Sequence, residues 1–129
     1  AEIEDGAFIG PAAVLTNDIY PRSVDQEGAL KDSQGWESLG VRVREGASVG
    51  ARAVVLAGTT IGAWALVGAG SVVIRDVPDY ALVVGNPATQ IGWVGRLGER
   101  LVEEEGIWVC PKSGERYIQD VGKLSYLSS

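Results

Sequence analysis

The chain has 129 residues, 46% apolar and 22% charged, with a formal charge of −6 and no histidine, a composition that suits one globular domain with a modest core. It argues against nucleic-acid binding, which rewards a basic face, and against a membrane span, because the apolar runs are only a few residues long. Lacking histidine, the chain has neither the commonest general base near neutral pH nor the commonest metal ligand, so no metal site is expected. The N-terminus has no basic, apolar and small-residue succession of a signal peptide, and a cytoplasmic location is the expectation. Cys110 is a lone cysteine; without a second thiol or a histidine it reads as a packed structural thiol.

A six-residue period starts at once. Ile3, Ile9 and Leu15 are followed, after an interruption, by Val43, Val49, Val55, Ile61, Val67 and Val73. Four places on stand the small or β-branched residues Ala7, Ala13, Ala47, Ala53, Thr59, Ala65, Ser71 and Val77, with Ile19 the bulky exception; directly after the aliphatic stand Gly10, Gly50, Gly62 and Gly68. A helix spaces apolar residues by three and four and a simple strand by two, so a strict six describes short strands joined by tight corners. Glycine after the aliphatic suits backbone that a Cβ would hinder. The interruption, residues 19–42, carries Tyr20, Pro21, Arg22 and Trp36, and its polar run from Asp25 to Gly35 reads as mobile; a loop of this length is functional or disordered.

The repeat stops at Pro78. The sequence therefore divides into coils over residues 1–78, carrying the insertion, and a C-terminal extension over residues 79–129 within the same structural unit. Tyr80–Ala88 reads as an extended piece ended by a turn. From Gln90 to about Glu105 the spacing of Val94, Leu97 and Leu101 predicts a short amphipathic helix capping the coils, despite Gly95 and Gly98. Ile107–Pro111 and Tyr117–Ile118 around Lys112–Glu115 predict a β-hairpin. Because Ile3 is already in register, further coils are expected before the first residue, or another subunit over that end.

Three strings are more specific than the repeat: Ile9-Gly-Pro-Ala-Ala-Val-Leu-Thr-Asn-Asp-Ile-Tyr-Pro-Arg22, Val67-Gly-Ala-Gly-Ser-Val-Val-Ile-Arg-Asp-Val-Pro78 and Val84-Gly-Asn-Pro-Ala88. With Cys110-Pro-x-x-Gly-x-x-Tyr117 they resemble the hexapeptide-repeat N-acetyltransferases acting on nucleotide-linked 3-amino sugars, most of all those acetylating UDP-2-acetamido-3-amino-2,3-dideoxyglucuronate for bacterial surface polysaccharide. The resemblance implies an all-β left-handed parallel β-helix of about three coils, a homotrimer, and acetyl-CoA in a groove between adjacent β-helices. It further implies that Gly68, Ala69 and Gly70 touch the pantetheine, that Arg75 faces the CoA phosphates, and that Val84, Asn86 and Pro87 line the adenine end.

Ala51, Ala69 and Pro87 are spaced to stack at one corner of successive coils if Pro87 keeps the register, which would let a pantetheine arm approach backbone amides near Ala51 or Ala69. Without histidine, an amine acceptor positioned by Asn17, with Asp18 beside it to take a proton, is the most economical chemistry. Tyr20 and Arg22 are placed to read the sugar, Arg22 by bidentate pairing with a carboxylate. Plain readings stand beside these: turn chemistry for Asn17 and Asp18, one more corner for Gly68–Gly70, and a subunit tie for Arg22. The alternative to an enzyme is a truncated or non-catalytic β-helix that serves as a scaffold or binds a partner.

Overall fold

In the computed structural model, which describes residues 1–32 and 39–129, the six-residue period becomes a three-sided solenoid. Trp36 and Gly35, named above in the interruption, lie outside the described residues. Nine two-residue strands follow the repeat: β1 (Glu2–Ile3), β2 (Phe8–Ile9), β3 (Val14–Leu15), β4 (Arg42–Val43), β5 (Ser48–Val49), β6 (Val54–Val55), β7 (Thr60–Ile61), β8 (Leu66–Val67) and β9 (Val72–Val73). They form three parallel stacks, β1-β4-β7, β2-β5-β8 and β3-β6-β9. Arg42 lies opposite Thr60, Ser48 opposite Leu66 and Val54 opposite Val72, a constant eighteen residues on. Three hexads therefore make one circuit, and each strand finds its backbone partners in the next.

The aliphatic of each hexad points inward. Val43, Val49, Val55, Ile61 and Val67 are fully buried, and Ala47, Ala53 and Ala65 fill the corners beside them. In the first circuit the same pattern is exposed, Ile3 at 45% and Ile9 at 37%, since among the described residues no strand lies beneath β1 and β2. The glycines after the aliphatics are required for close approach and not for unusual φ. A Cβ on Gly50 would stand 2.6 Å from Ala69 N. Positive φ falls two places later, at Ala12, Arg52 and Gly70 in the corresponding corners.

Beyond Val77, which bridges to Ile61 in parallel, the step shortens. β10 (Ala81–Gly85) continues the second stack with Leu82 opposite Leu66 and Val83 opposite Val67, sixteen residues on, and turns back through a cis Asn86–Pro87 bond into antiparallel β11 (Ala88–Trp93). The helix expected from Gln90 to Glu105 does not form. β11 occupies its first part, a turn bridged at Val94 and Arg100 its middle, and β12 (Val102–Glu104) its end. The spacing of Val94, Leu97 and Leu101 misleads because Leu97 is exposed, while the adjacent Trp93 and Val94 are both buried. Glycines at 92, 95 and 98 would each cost a helix about 1 kcal/mol, and Gly98 has φ +87°.

The hairpin expected after Ile107 does form, as β13 (Ile107–Val109) and β14 (Arg116–Asp120), inside a four-stranded antiparallel sheet completed by β12 and β15 (Lys123–Ser128). Buried Tyr117 ties this sheet to the solenoid. Its ring lies 5.1 Å from that of Tyr80, and its hydroxyl donates to Glu115 Oε1 (2.7 Å) and accepts from Arg96 N–H (2.9 Å). Arg96 also pairs with Glu115 at 2.8 Å and covers the Tyr126 ring. Cys110 is buried in the same core, as expected of a packed thiol.

Gly50→Ala drives a methyl group into the backbone of the next circuit and is expected to destabilise by about 1–3 kcal/mol in urea unfolding. The Glu115 carboxyl is held below the ordinary carboxylate range, first by Arg96 and then by Tyr117. A lowered native value contributes stability above the unfolded-chain value of 4.5, and that stability is lost as pH falls through the lower native one. Glu115→Gln is therefore expected to lower the melting temperature at pH 7 and to flatten its fall below pH 4.5, read by thermal melts across the acid range.

Candidate functional site

Each stack is flanked by two columns of corners, and the residues singled out in the sequence fall into two of these columns. The first column joins the β2-β5-β8 stack to the β3-β6-β9 stack and holds Ala51, Gly68, Ala69 and Gly70. Gly70 N–H donates to Ala51 O at 2.8 Å, so the corners sit directly on one another. Gly68 backs onto Val84, whose Cγ1 would be 2.7 Å from an added Cβ, whereas Gly70 faces open space. Small residues thus leave this edge low, with its backbone near the surface. Pro87 is not part of the column. The sixteen-residue step places Gly85 level with Ala69, and Asn86 and Pro87 lie beyond it in the β10–β11 turn.

The second column, on the far side of β3-β6-β9, holds Asn17, Asp18 and, two circuits later, Arg75. Here the insertion leaves the solenoid. Leu39 N–H donates to Asn17 O (3.0 Å) and Gly58 N–H to Leu39 O (2.9 Å), which closes the base of the insertion against the next circuit. Asn17 is exposed. Asp18 Oδ1 is buried without a hydrogen-bond partner among the described residues, a costly arrangement for a carboxylate oxygen unless another group reaches it. Beside the insertion's base opens a cavity of about 490 Å³ lined by Leu39, Gly40, Val41, Arg42, Gly58, Thr60 and the first two residues.

The first part of the insertion is an ordered hairpin where the sequence suggested mobility. Asp25 Oδ1 accepts from Glu27 N–H and Ala29 N–H, each at 3.0 Å, and Val24 bridges Leu30. Such a side-chain turn is local chemistry that aspartate supplies on its own. Tyr20 is 62% exposed and anchors the hairpin by its carbonyl, which accepts from Lys31 Nζ and Arg22 N–H. The Arg22 side chain is exposed. Arg75 stands at the rim of a second cavity, about 330 Å³, with apolar walls of Val73, Val77 and Val83 and a mouth formed by Ala88, Thr89 and Gln90.

The structure therefore gathers Ala51, Gly68, Ala69, Gly70 and Val84, and separately Asn17 with Asp18, with the β3-β6-β9 face between the groups. Sequence reasoning missed Thr89 and Gln90, which only the β10–β11 turn brings to Arg75. It also missed Thr16, whose hydroxyl accepts from Ala57 N–H at 2.8 Å; a hydroxyl residue just before the Asn-Asp pair was the available signal. Among the described residues no three His, Cys, Asp or Glu side chains converge as metal ligands, and no helix is long and apolar enough to cross a membrane.

Residues 40–75 match the bacterial transferase hexapeptide family (six repeats). That stretch is a hexapeptide repeat. The chain is 48% identical over 85 residues to the dTDP-3-amino-3,6-dideoxy-α-D-galactopyranose 3-N-acetyltransferase of Aneurinibacillus thermoaerophilus, an alignment covering 66% of this chain and 44% of that protein. The chain thus spans under half the length of this curated relative. Two solved structures share the fold. PerB from Caulobacter crescentus, in complex with CoA and GDP-perosamine, has a TM-score of 0.50 at 34% identity over 70% of this chain and 33% of its own. A variant of AntD, an N-acyltransferase from Bacillus cereus in complex with dTDP and coenzyme A, has a TM-score of 0.57 at 25% identity over 73% of this chain and 54% of its own.

The Asp25 turn gives a direct test of the ordered hairpin. Asp25→Ala removes the acceptor of two backbone amides, and limited proteolysis is expected to cut the 23–31 segment about tenfold faster than in wild type, in line with the loss of one or two hydrogen bonds.

Proposed function

We propose that this protein is an acetyl-CoA-dependent N-acetyltransferase acting on the 3-amino group of a nucleotide-linked amino sugar, within a left-handed β-helix of about three coils (residues 1–78) continued by the sheet extension (residues 79–129). The observation that carries this reading is the 48% identity to a 3-N-acetyltransferase of a dTDP-linked 3-amino sugar. The CoA and nucleotide complexes of the two solved structures support it. An inert scaffold is the less favoured reading on the same likenesses.

The low edge formed by Ala51, Gly68, Ala69 and Gly70 would take the pantetheine against backbone amides, with Val84, Asn86 and Pro87 toward the adenine and Arg75 toward the phosphates. In the reaction the amine nitrogen bonds to the acetyl carbonyl carbon, the carbon–sulfur bond breaks, CoA leaves as its thiol, and the amine gives up one proton. A sugar amine is less basic than a lysine, because neighbouring oxygens withdraw charge, so a useful fraction is neutral near pH 7 without a histidine base. Asn17 would hold the amine or the tetrahedral centre by hydrogen bonding. Asp18, whose Oδ1 has no hydrogen-bond partner among the described residues, would take the proton. Tyr20 and Arg22 would read the sugar.

Because the β3-β6-β9 face separates the CoA edge from Asn17, one copy does not unite the two groups at a short distance. A homotrimer, in which the edge of one copy meets the insertion corner of its neighbour, would supply the missing juxtaposition. Surface-polysaccharide synthesis in the cytoplasm is the setting that fits such an activity.

Saturating acetyl-CoA is expected to raise the melting temperature, since a ligand at about 100 times its Kd stabilises the folded state by about 2.7 kcal/mol. Asn17→Ala is expected to lower kcat by about 100-fold, the scale of losing one oxyanion-type donor, with KM for acetyl-CoA little changed. No thermal shift, together with an unaltered Asn17→Ala rate, would sink the reading.

A further inference from the structure

Where β3 ends, the main chain leaves the solenoid, and Gly58 N–H, whose equivalents Arg52 N–H and Gly70 N–H donate to Pro11 O and Ala51 O of the preceding circuit, is taken instead by Leu39 O. Thr16 N–H makes the last regular rung, to Val55 O at 3.0 Å. The following amide of that next circuit, Ala57 N–H, is taken by the Thr16 hydroxyl at 2.8 Å, while the same oxygen lies 3.5 Å from Val55 O. One residue on, Asn17 O holds Leu39 N–H, and Leu39 O holds Gly58 N–H. Asn17 is thus clamped from both sides to Ala57 and Gly58, adjacent residues of one corner. Its preceding residue is anchored through a side chain, its own carbonyl through the returning end of the insertion.

We propose that Thr16 is a positioning residue for acetyl transfer. By accepting from Ala57 N–H its hydroxyl fixes the point at which the chain leaves the coil, and with it the places of Asn17 and Asp18. The inference rests on the acetyl-transfer reading for its catalytic meaning. Nothing in it requires Thr16 to touch substrate. The role calls for an oxygen at Cβ: serine supplies one, whereas valine matches the shape of threonine without any acceptor.

The test compares Thr16→Val and Thr16→Ser with wild type, using acetyl-CoA and dTDP-linked 3-amino-3,6-dideoxygalactose. Amide hydrogen exchange at Leu39 and Ala57 is followed by NMR in the absence of substrate. Thr16→Val is expected to lower kcat about tenfold, the scale of one lost hydrogen bond, to leave KM for acetyl-CoA within about twofold, and to speed exchange at both amides. Thr16→Ser is expected to restore all three. A wild-type kcat in Thr16→Val, or a Thr16→Ser variant no better than Thr16→Val, overturns the proposal, as does a loss shared equally by kcat and acetyl-CoA affinity. If wild type transfers no acetyl group, the acetyl-transfer reading fails separately, and exchange decides alone. Faster exchange at Leu39 in Thr16→Val upholds the clamp on Asn17, and unchanged exchange overturns it.

Discussion

The parallel backbone ladder between successive circuits is the constraint on which the rest of the molecule depends. Each of β1–β9 contributes only two residues, too few to be stable alone, and gains order by lying on the equivalent strand of the neighbouring circuit, eighteen residues away or, across the insertion, forty. The ladder forces the aliphatic of every hexad inward, sets the corners on top of one another, and leaves so little room between them that Gly50 has no space for a Cβ. Side chains can be varied on the outer faces, and the step changes only where a corner takes up the difference, as at the insertion and at the sixteen-residue step to β10.

Where the step changes, side-chain oxygens accept amides of the neighbouring corners. Asp76 accepts from Thr60 N–H and Asp79 from Ala63 N–H, where the last circuit bends into the shortened sixteen-residue step. Thr16 does the same for Ala57 N–H where the insertion departs. These contacts follow from the cost of an unpaired backbone amide. They also mark the places where the chain carries its distinctive chemistry, because only a broken repeat can project a loop or turn a strand back. The Arg96–Glu115–Tyr117 network serves the extension in a comparable way, closing a sheet that has no repeat to stabilise it.

Much of the candidate site was legible in particular residues. Gly68, Ala69 and Gly70 identify a low corner because small side chains recur there in phase, and Asn17 with Asp18 identifies the exit of the insertion because the hexad pattern fails at Ile19. Pro87 would stack on Ala51 and Ala69 only if the period ran on past Pro78, where two residues drop out of the circuit. The helix over Gln90–Glu105 was misread because Val94, Leu97 and Leu101 satisfy a helical spacing by coincidence, while Trp93 and Val94 turn into the core together, as neighbours on a strand passing into a turn can. The turn at Asp25 was hidden because polar residues signal mobility in composition and order in hydrogen bonding.

What the sequence determined by itself is the repeating part: a strict period of six with aliphatic, small and glycine positions in phase admits one backbone solution, since each rung repeats the same local sterics. What only the tertiary structure decided is everything outside that period. It placed the Ala51–Gly70 edge and Asn17 on opposite sides of the β3-β6-β9 face, left Asp18 Oδ1 without a partner among the described residues, and brought Thr89 and Gln90 beside Arg75. Such placements depend on where the circuit shortens and on which side chains accept amides of the neighbouring corners, and these are contacts between residues far apart in the chain that no local pattern encodes.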